Sequence, residues 1–139
     1  MVTYVLDACA VLRYIDNEAG ADTVQSHLEE SINGNAQCII SAIQWAEVLH
    51  IILKRHGTVG CDLAMIEVRA LKLTVEPATS IRAERSAMIR YLRQIHFADA
   101  FAVELASGLA DHILVTSDYG LKPAEHDCKI DFLPVKPRP

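Results

Sequence analysis

The stretch TYVLDACAVL, residues 3–12, decides the fold. It opens with residues suited to a buried strand, meets an acid at Asp7, and continues at once as an apolar segment of helical period. A strand that runs straight into a helix is the first half of a βαβ unit. The carboxylate therefore stands where a core element has just ended, and its charge needs a reason.

Working outward, apolar β-branched runs alternate with longer segments of helical period, the pattern of an α/β fold with a parallel sheet and helices on both faces. Five strands are expected at residues 3–6, 37–40, 73–76, 113–116 and 129–133. Helices are expected at 9–15, 21–32, 42–55, 61–71, 81–94 and 98–107. Ser41 and Gln44 form an S-x-x-Q capping box after the second strand, and Gly57 follows Lys54 and Arg55 as a helix stop. Pro77 closes the third strand, Thr79 or Ser80 caps the next helix, and the tail PVKPRP continues no regular element.

The chain has 139 residues, 51% of them hydrophobic, which fits a single domain over residues 1–139 with one core. No apolar run reaches the roughly 18–20 residues that cross a bilayer, and the N-terminus has no signal-peptide pattern, so no membrane association and a cytoplasmic location are expected. Cys9, Cys38, Cys61 and Cys128 show no C-x-x-C pair and read as small core residues. His50 and His56 are spaced wrongly for one helix face, so no structural zinc site is expected. The net charge of −5 excludes a broad basic nucleic-acid surface. It leaves room for a local strip of Arg82, Arg85, Arg90 and Arg93, although a solvated helix face accounts for any one of them.

In a parallel sheet linked by helices the carboxyl ends of the strands share one edge, where ligands of open α/β sheets bind. Asp7 ends the first strand and Asp118, in ILVTSDYGL, ends the fourth. Glu47 lies in the apolar stripe of SAIQWAEVLHIIL, between Ile43 and Ile51, where a charge is costly without compensation. Asp99, in HFADAFAVELA, opens a helix apolar on nearly every side. Each acid has a plainer reading: Asp7 as a helix cap, Asp99 at a positive helix end, Asp118 in a turn with Gly120, Glu47 in a buried ion pair. Four at one edge suggest a shared cation, because clustered carboxylates raise one another's pKa. Oxygen ligands suit Mg²⁺ or Mn²⁺, and the chemistry that follows is metal-assisted phosphodiester hydrolysis. No partnered serine or cysteine nucleophile and no glycine-rich phosphate loop competes with it.

The segments VLDACAVLRYI, SAIQWAEVLH, FADAFAVELA and ILVTSDYGL, in this order and across the whole chain, resemble the PIN-domain ribonucleases, particularly VapC-type toxins of bacterial toxin–antitoxin pairs. The resemblance implies a PIN-domain-like fold with Asp7, Glu47, Asp99 and Asp118 as catalytic and metal-binding acids. It also implies a Mg²⁺- or Mn²⁺-dependent endoribonuclease acting on RNA such as tRNA or rRNA, leaving a 5′-phosphate and a 3′-hydroxyl. A homodimer and a cognate antitoxin, which commonly blocks the acidic pocket with a basic side chain, are implied as well. The family often has Ser or Thr after the first acid, and here Ala8 stands there. Thr116 and Ser117 are the expected substitutes beside a ligating carboxylate. Arg90 and Arg93, which precede the Asp99 helix, are the expected RNA contacts, and Trp45 is expected in the core.

Rival readings fit less well. A response-regulator receiver needs paired acids after its first strand, and Asp7 has Leu6 and Ala8 as neighbours. A haloacid-dehalogenase-type phosphatase needs a second acid two residues after Asp7, where Cys9 stands. A PIN fold that binds RNA or protein without cutting it is the remaining alternative.

Overall fold

A computed structural model describes residues 1–136. Its elements run β1 (Val2–Leu6), α1 (Ala8–Ile15), α2 (Ala21–Ile32), β2 (Ala36–Ser41), α3 (Ala42–Arg69), β3 (Thr74–Glu76), α4 (Ser80–Arg93), α5 (Phe97–Ala106), β4 (His112–Thr116), a 3₁₀ helix (Tyr119–His126) and β5 (Lys129–Phe132). The five strands form one sheet in the order β3-β2-β1-β4-β5, with every neighbouring pair parallel. The expected α/β architecture is therefore the observed one. The final Pro-Arg-Pro of the tail lies outside the described residues.

Alternation along the strands builds a core on each face. Leu6, Cys38, Ile40 and Val115 face α1, α2 and α3, joined there by Val11, Val24, Leu28, Val48 and Ile52. Val5, Ile39 and Leu114 face the other way and pack with Ala100, Val103 and Leu105 of α5 and Leu121 of the 3₁₀ turn. Trp45 packs at the margin of the first core, as expected.

The chain goes outward from β1 to β2 and β3, then returns through α4 and α5 to the other side of β1. Strand order thus reverses between β1 and β4, and in open parallel sheets the crevice at such a reversal, at the carboxyl ends, is the place for a ligand. The register pairs Leu6 with Val115, which leaves Asp7 at the mouth of that crevice.

Two sequence expectations change. The 3₁₀ helix over Tyr119–His126 falls between the fourth and fifth expected strands, where the sequence predicts no helix, and Pro123 within it breaks any α-helical period. The capping box at Ser41 is only half made. Ser41 Oγ accepts from the Ile43 N–H at 3.2 Å, while the Gln44 side chain turns away to partners described below. Gly57 does break α3, with φ 70° and ψ −174°, a conformation open essentially to glycine alone. Helix resumes directly beyond it.

Candidate active site

Asp7 closes β1 and caps α1, and both roles follow from its place between a strand and an apolar helix. Its Oδ1 accepts from the Ala10 N–H at 2.9 Å. Its Oδ2 accepts from the Thr116 hydroxyl at 2.5 Å, and the Cys9 thiol lies 3.0 and 3.1 Å from the two oxygens. The carboxyl is 1% exposed. Burial pushes its pKa up to about 6, with the nearby Asp99 charge adding to the shift, while the bonds from Cys9, Thr116 and Ala10 pull the other way. Burial and the Asp7 charge push the Cys9 thiol up to about 11, so it stays protonated and donates. Cys9 is thus a hydrogen-bonding partner of the acid as well as a packing residue.

Asp99 enters from the first turn of α5. Burial raises its pKa and Asp118 raises it further, whereas Gln44 and His96 offset part of the shift. Glu47, on α3, is raised by burial and then by Asp99, with His96 opposing. Asp118 follows β4, is exposed, and accepts from the Gly120 N–H at 2.8 Å. Asp7, Glu47 and Asp118 are each linked electrostatically to Asp99, which makes it the centre of the set. The plain readings of Asp7 as a cap and Asp118 as a turn residue are real, and they hold the two acids in place. An ion-paired Glu47 is not observed; among the described residues none of the four acids has a salt-bridge partner.

Thr116 links two of the acids, since its Oγ1 also accepts from the Asp118 N–H at 3.0 Å. Ser117 lies beside Cys9 and lowers that thiol's pKa through a hydrogen bond. The arginines divide. Arg90 stays near the acids, with its guanidinium 4.3 Å above the Phe97 ring and donating to the Ile95 carbonyl at 3.1 Å. Arg93 pairs with Asp127 at 2.8 and 3.1 Å. Asp127 precedes β5, and its carbonyl accepts from Gly108, which precedes β4, so Arg93 is drawn toward the amino-terminal edge and away from the acids.

Gln44 carries more of the site than its sequence position suggested. It is 1% exposed; its Oε1 accepts from the Ala8 N–H at 2.7 Å and its Nε2 donates to the Ala98 carbonyl at 2.7 Å and reaches Asp99 Oδ1 at 3.5 Å. One amide thereby fixes the β1–α1 junction, α3 and α5 to one another. The available signal was its place three residues before Glu47, on the same apolar helix face. His96 was also missed. It precedes α5 without making a capping bond, and its position next to FAD in the sequence was the clue.

The donor set fits a hard divalent cation: carboxylate oxygens, partly desolvated, disfavouring one another's charge and lacking a cationic partner. Among the described residues no three His, Cys, Asp or Glu side chains converge tightly enough to enclose an ion by themselves.

The sequence matches the PIN domain family over residues 4–126, and the chain belongs to that family. Solved structures of similar shape include VapBC2 from Rickettsia felis bound to a DNA fragment from their promoter, with 17% identity, 94% of this chain and 98% of that one covered, and a TM-score of 0.70. DNA-bound VapBC from Salmonella typhimurium has 18% identity, coverage of 95% and 98%, and a TM-score of 0.66. A toxin–antitoxin complex from Klebsiella pneumoniae has 21% identity, coverage of 86% and 90%, and a TM-score of 0.62. At these identities the likeness is one of fold. No curated protein matches the sequence. Among the described residues no helix is long and apolar enough to cross a membrane.

Proposed function

We propose that the chain is a Mg²⁺- or Mn²⁺-dependent endoribonuclease, the toxin of a type II toxin–antitoxin pair, acting in the cytoplasm on RNA such as tRNA or rRNA. The observation that carries this reading is the gathering of Asp7, Asp99 and Asp118 at the β1–β4 reversal with Glu47 beside them, none of the four salt-bridged to a cation among the described residues.

Asp7, Asp99 and Asp118 would hold the ion, directly or through water. A bound ion supplies positive charge against the phosphoryl oxygens and favours ionisation of a water molecule. Thr116, Cys9 and the Ala10 N–H keep the Asp7 carboxylate in one orientation, as partners of ligating carboxylates do. Glu47, made more basic by burial and by Asp99, orients the attacking water and accepts its proton. The water oxygen bonds to phosphorus, the bond to the 3′ oxygen breaks, and that oxygen takes a proton from solvent, which leaves a 5′-phosphate and a 3′-hydroxyl.

The partner proposals are a cognate antitoxin and a second copy of the chain. Val59, Leu63 and Ile66 form an exposed apolar stripe on the second half of α3, 64–74% exposed.

Calorimetric titration with Mg²⁺ and Mn²⁺ and incubation with total RNA, wild type beside Asp7→Asn, test the reading. Ion binding with discrete 5′-phosphorylated fragments from wild type alone supports it. Ion binding without cleavage leaves the non-catalytic alternative, and no ion binding makes the acids structural.

A further inference from the structure

The turn between α4 and α5 holds a feature that the acid cluster does not use. α4 ends at Gln94, held in the left-handed region at φ 56° and ψ 45°, and α5 starts at Phe97. The turn lines a cavity of about 610 Å³ with Arg90, Tyr91, Gln94, His96 and Phe97. Its size falls within the roughly 300–1,000 Å³ of small-molecule sites. Tyr91 is 78% and Phe97 55% exposed.

A single exposed apolar side chain is ordinary. Two exposed rings, a guanidinium stacked on one of them, an imidazole and an amide on one concave surface are a different composition. Aromatic faces stack unpaired bases, cations hold the phosphates between them, and an amide offers both a donor and an acceptor to a base edge. Of the four arginines of α4, Arg82 and Arg93 pair with Glu104 and Asp127, whereas Arg90, the one that lines this cavity, donates to a backbone carbonyl.

The position matters equally. Phe97 stands two residues before Asp99 on the same helix, and His96, which lines the cavity, is near enough to Asp99 and Glu47 to favour their ionised forms. The cavity thus lies beside the acidic crevice. An acidic edge repels a polyanion, so a strand crossing it needs a cationic and apolar hold alongside.

We infer that this cavity is a subsite for one unstacked nucleobase of single-stranded RNA next to the scissile phosphate. The base lies against the open faces of Tyr91 and Phe97, and Arg90, fixed over Phe97 and bonded to the Ile95 carbonyl, meets the adjoining phosphate. This rests on the nuclease reading above and specifies how that site grips its substrate.

The test uses single-stranded hexaribonucleotides carrying one 2-aminopurine, moved position by position, in EDTA so that the RNA stays intact. Binding by wild type should quench the fluorophore at one position, and an abasic nucleotide there should weaken binding by about tenfold or more. Phe97→Ala and Tyr91→Ala should lose the quenching and bind base-containing and abasic RNA alike, while Phe97→Tyr retains the preference. Circular dichroism checks the fold, which the exposure of both rings leaves undisturbed. If wild type cleaves total RNA in Mg²⁺ but an abasic position costs nothing anywhere and Phe97→Ala binds unchanged, the subsite is overturned and the nuclease reading stands. If these variants instead lose only a co-purifying protein, the surface docks protein and the subsite is likewise overturned. If wild type neither binds nor cuts RNA, both fall.

Discussion

The Thr116 hydroxyl donates to Asp7 Oδ2 across 2.5 Å and accepts from the Asp118 N–H at 3.0 Å, so a single oxygen ties together the acids that close β1 and β4. Thr116 is fully buried, and its carbonyl also accepts from the Leu133 N–H at 2.7 Å in the β4–β5 ladder. Thr116→Val keeps the shape and removes the donor. It should cost roughly 1.5–3 kcal/mol at neutral pH, where the acceptor is charged. With less stabilisation of its ionised form, Asp7 titrates higher, and the acid limb of the pH–rate profile moves upward. Thr116→Ser should restore both quantities; a profile unchanged in Thr116→Val would remove this hydroxyl from the site's chemistry.

Asp7 makes the metal-free protein less stable as it ionises. Folding raises its pKa to about 6, so the folded state holds the proton more tightly than the unfolded chain does. Its contribution is most favourable below about pH 4, where both states are protonated, and is lost as pH rises through 6. Asp7→Asn should therefore be more stable than wild type at about pH 7.5 in EDTA, by up to about 3 kcal/mol. Urea midpoints compared at about pH 7.5 and pH 4.5 should show that advantage shrinking on acidification. A mutant less stable at both pH values contradicts the argument.

Gln44→Leu leaves the buried Ala8 N–H without its partner and removes the second bond to the Ala98 carbonyl, which keeps its place in the α5 ladder. The loss should cost about 1–3 kcal/mol in urea unfolding. Gln44→Glu adds a carboxylate facing the Ala98 carbonyl and Asp99, so its penalty should grow with pH. A flat pH response would mean that the new side chain swings clear of Asp99.

Glu47→Gln should slow RNA cleavage about 10²–10⁴-fold, the usual range for loss of a general base. Ion affinity should change little, because Glu47 is linked electrostatically to Asp99 alone among the acids. Asp99→Asn should lose affinity and cleavage together. Calorimetry and single-turnover cleavage on the two variants separate these roles.

The Arg82–Glu104 pair joins α4 to α5 with bonds of 2.9 and 2.8 Å, and the Glu104 side chain is 4% exposed against 34% for Arg82. Arg82→Ala strands a buried carboxylate and should cost about 3 kcal/mol. Glu104→Gln leaves an arginine with access to water and should cost less. Equal thermal shifts in the two would show that solvent reaches the carboxylate.

Much of this is legible in the sequence. Val5 and Leu6 point to opposite faces because a buried strand must satisfy both, and the strand-to-helix step at Asp7 showed the order of elements. Thr79 caps α4 and Gly57 breaks α3 for local backbone reasons that short spacings express. Gln44 was misassigned because capping is a local signal, while its actual partners, Ala8 and Ala98, lie 36 and 54 residues away. Cys9 looked like a packing residue for a related reason: its thiol gains a role only once β4 brings Thr116 beside Asp7. The expectation for Arg93 rested on nearness in sequence to Asp99, and an acid 34 residues away, Asp127, takes its guanidinium.

Gly57 has a mechanical meaning as well as a conformational one. With non-helical dihedrals at that point, α3 is two rods on one pivot instead of a single 28-residue beam. The first rod is pinned by Ser41 at its start and by Gln44 to two other elements, and it carries Glu47. The second bears the exposed Val59, Leu63 and Ile66. The break turns the outer rod in its own direction while Cys61, Met65 and Val68 keep it packed in the core that Val48 and Ile52 of the first rod share.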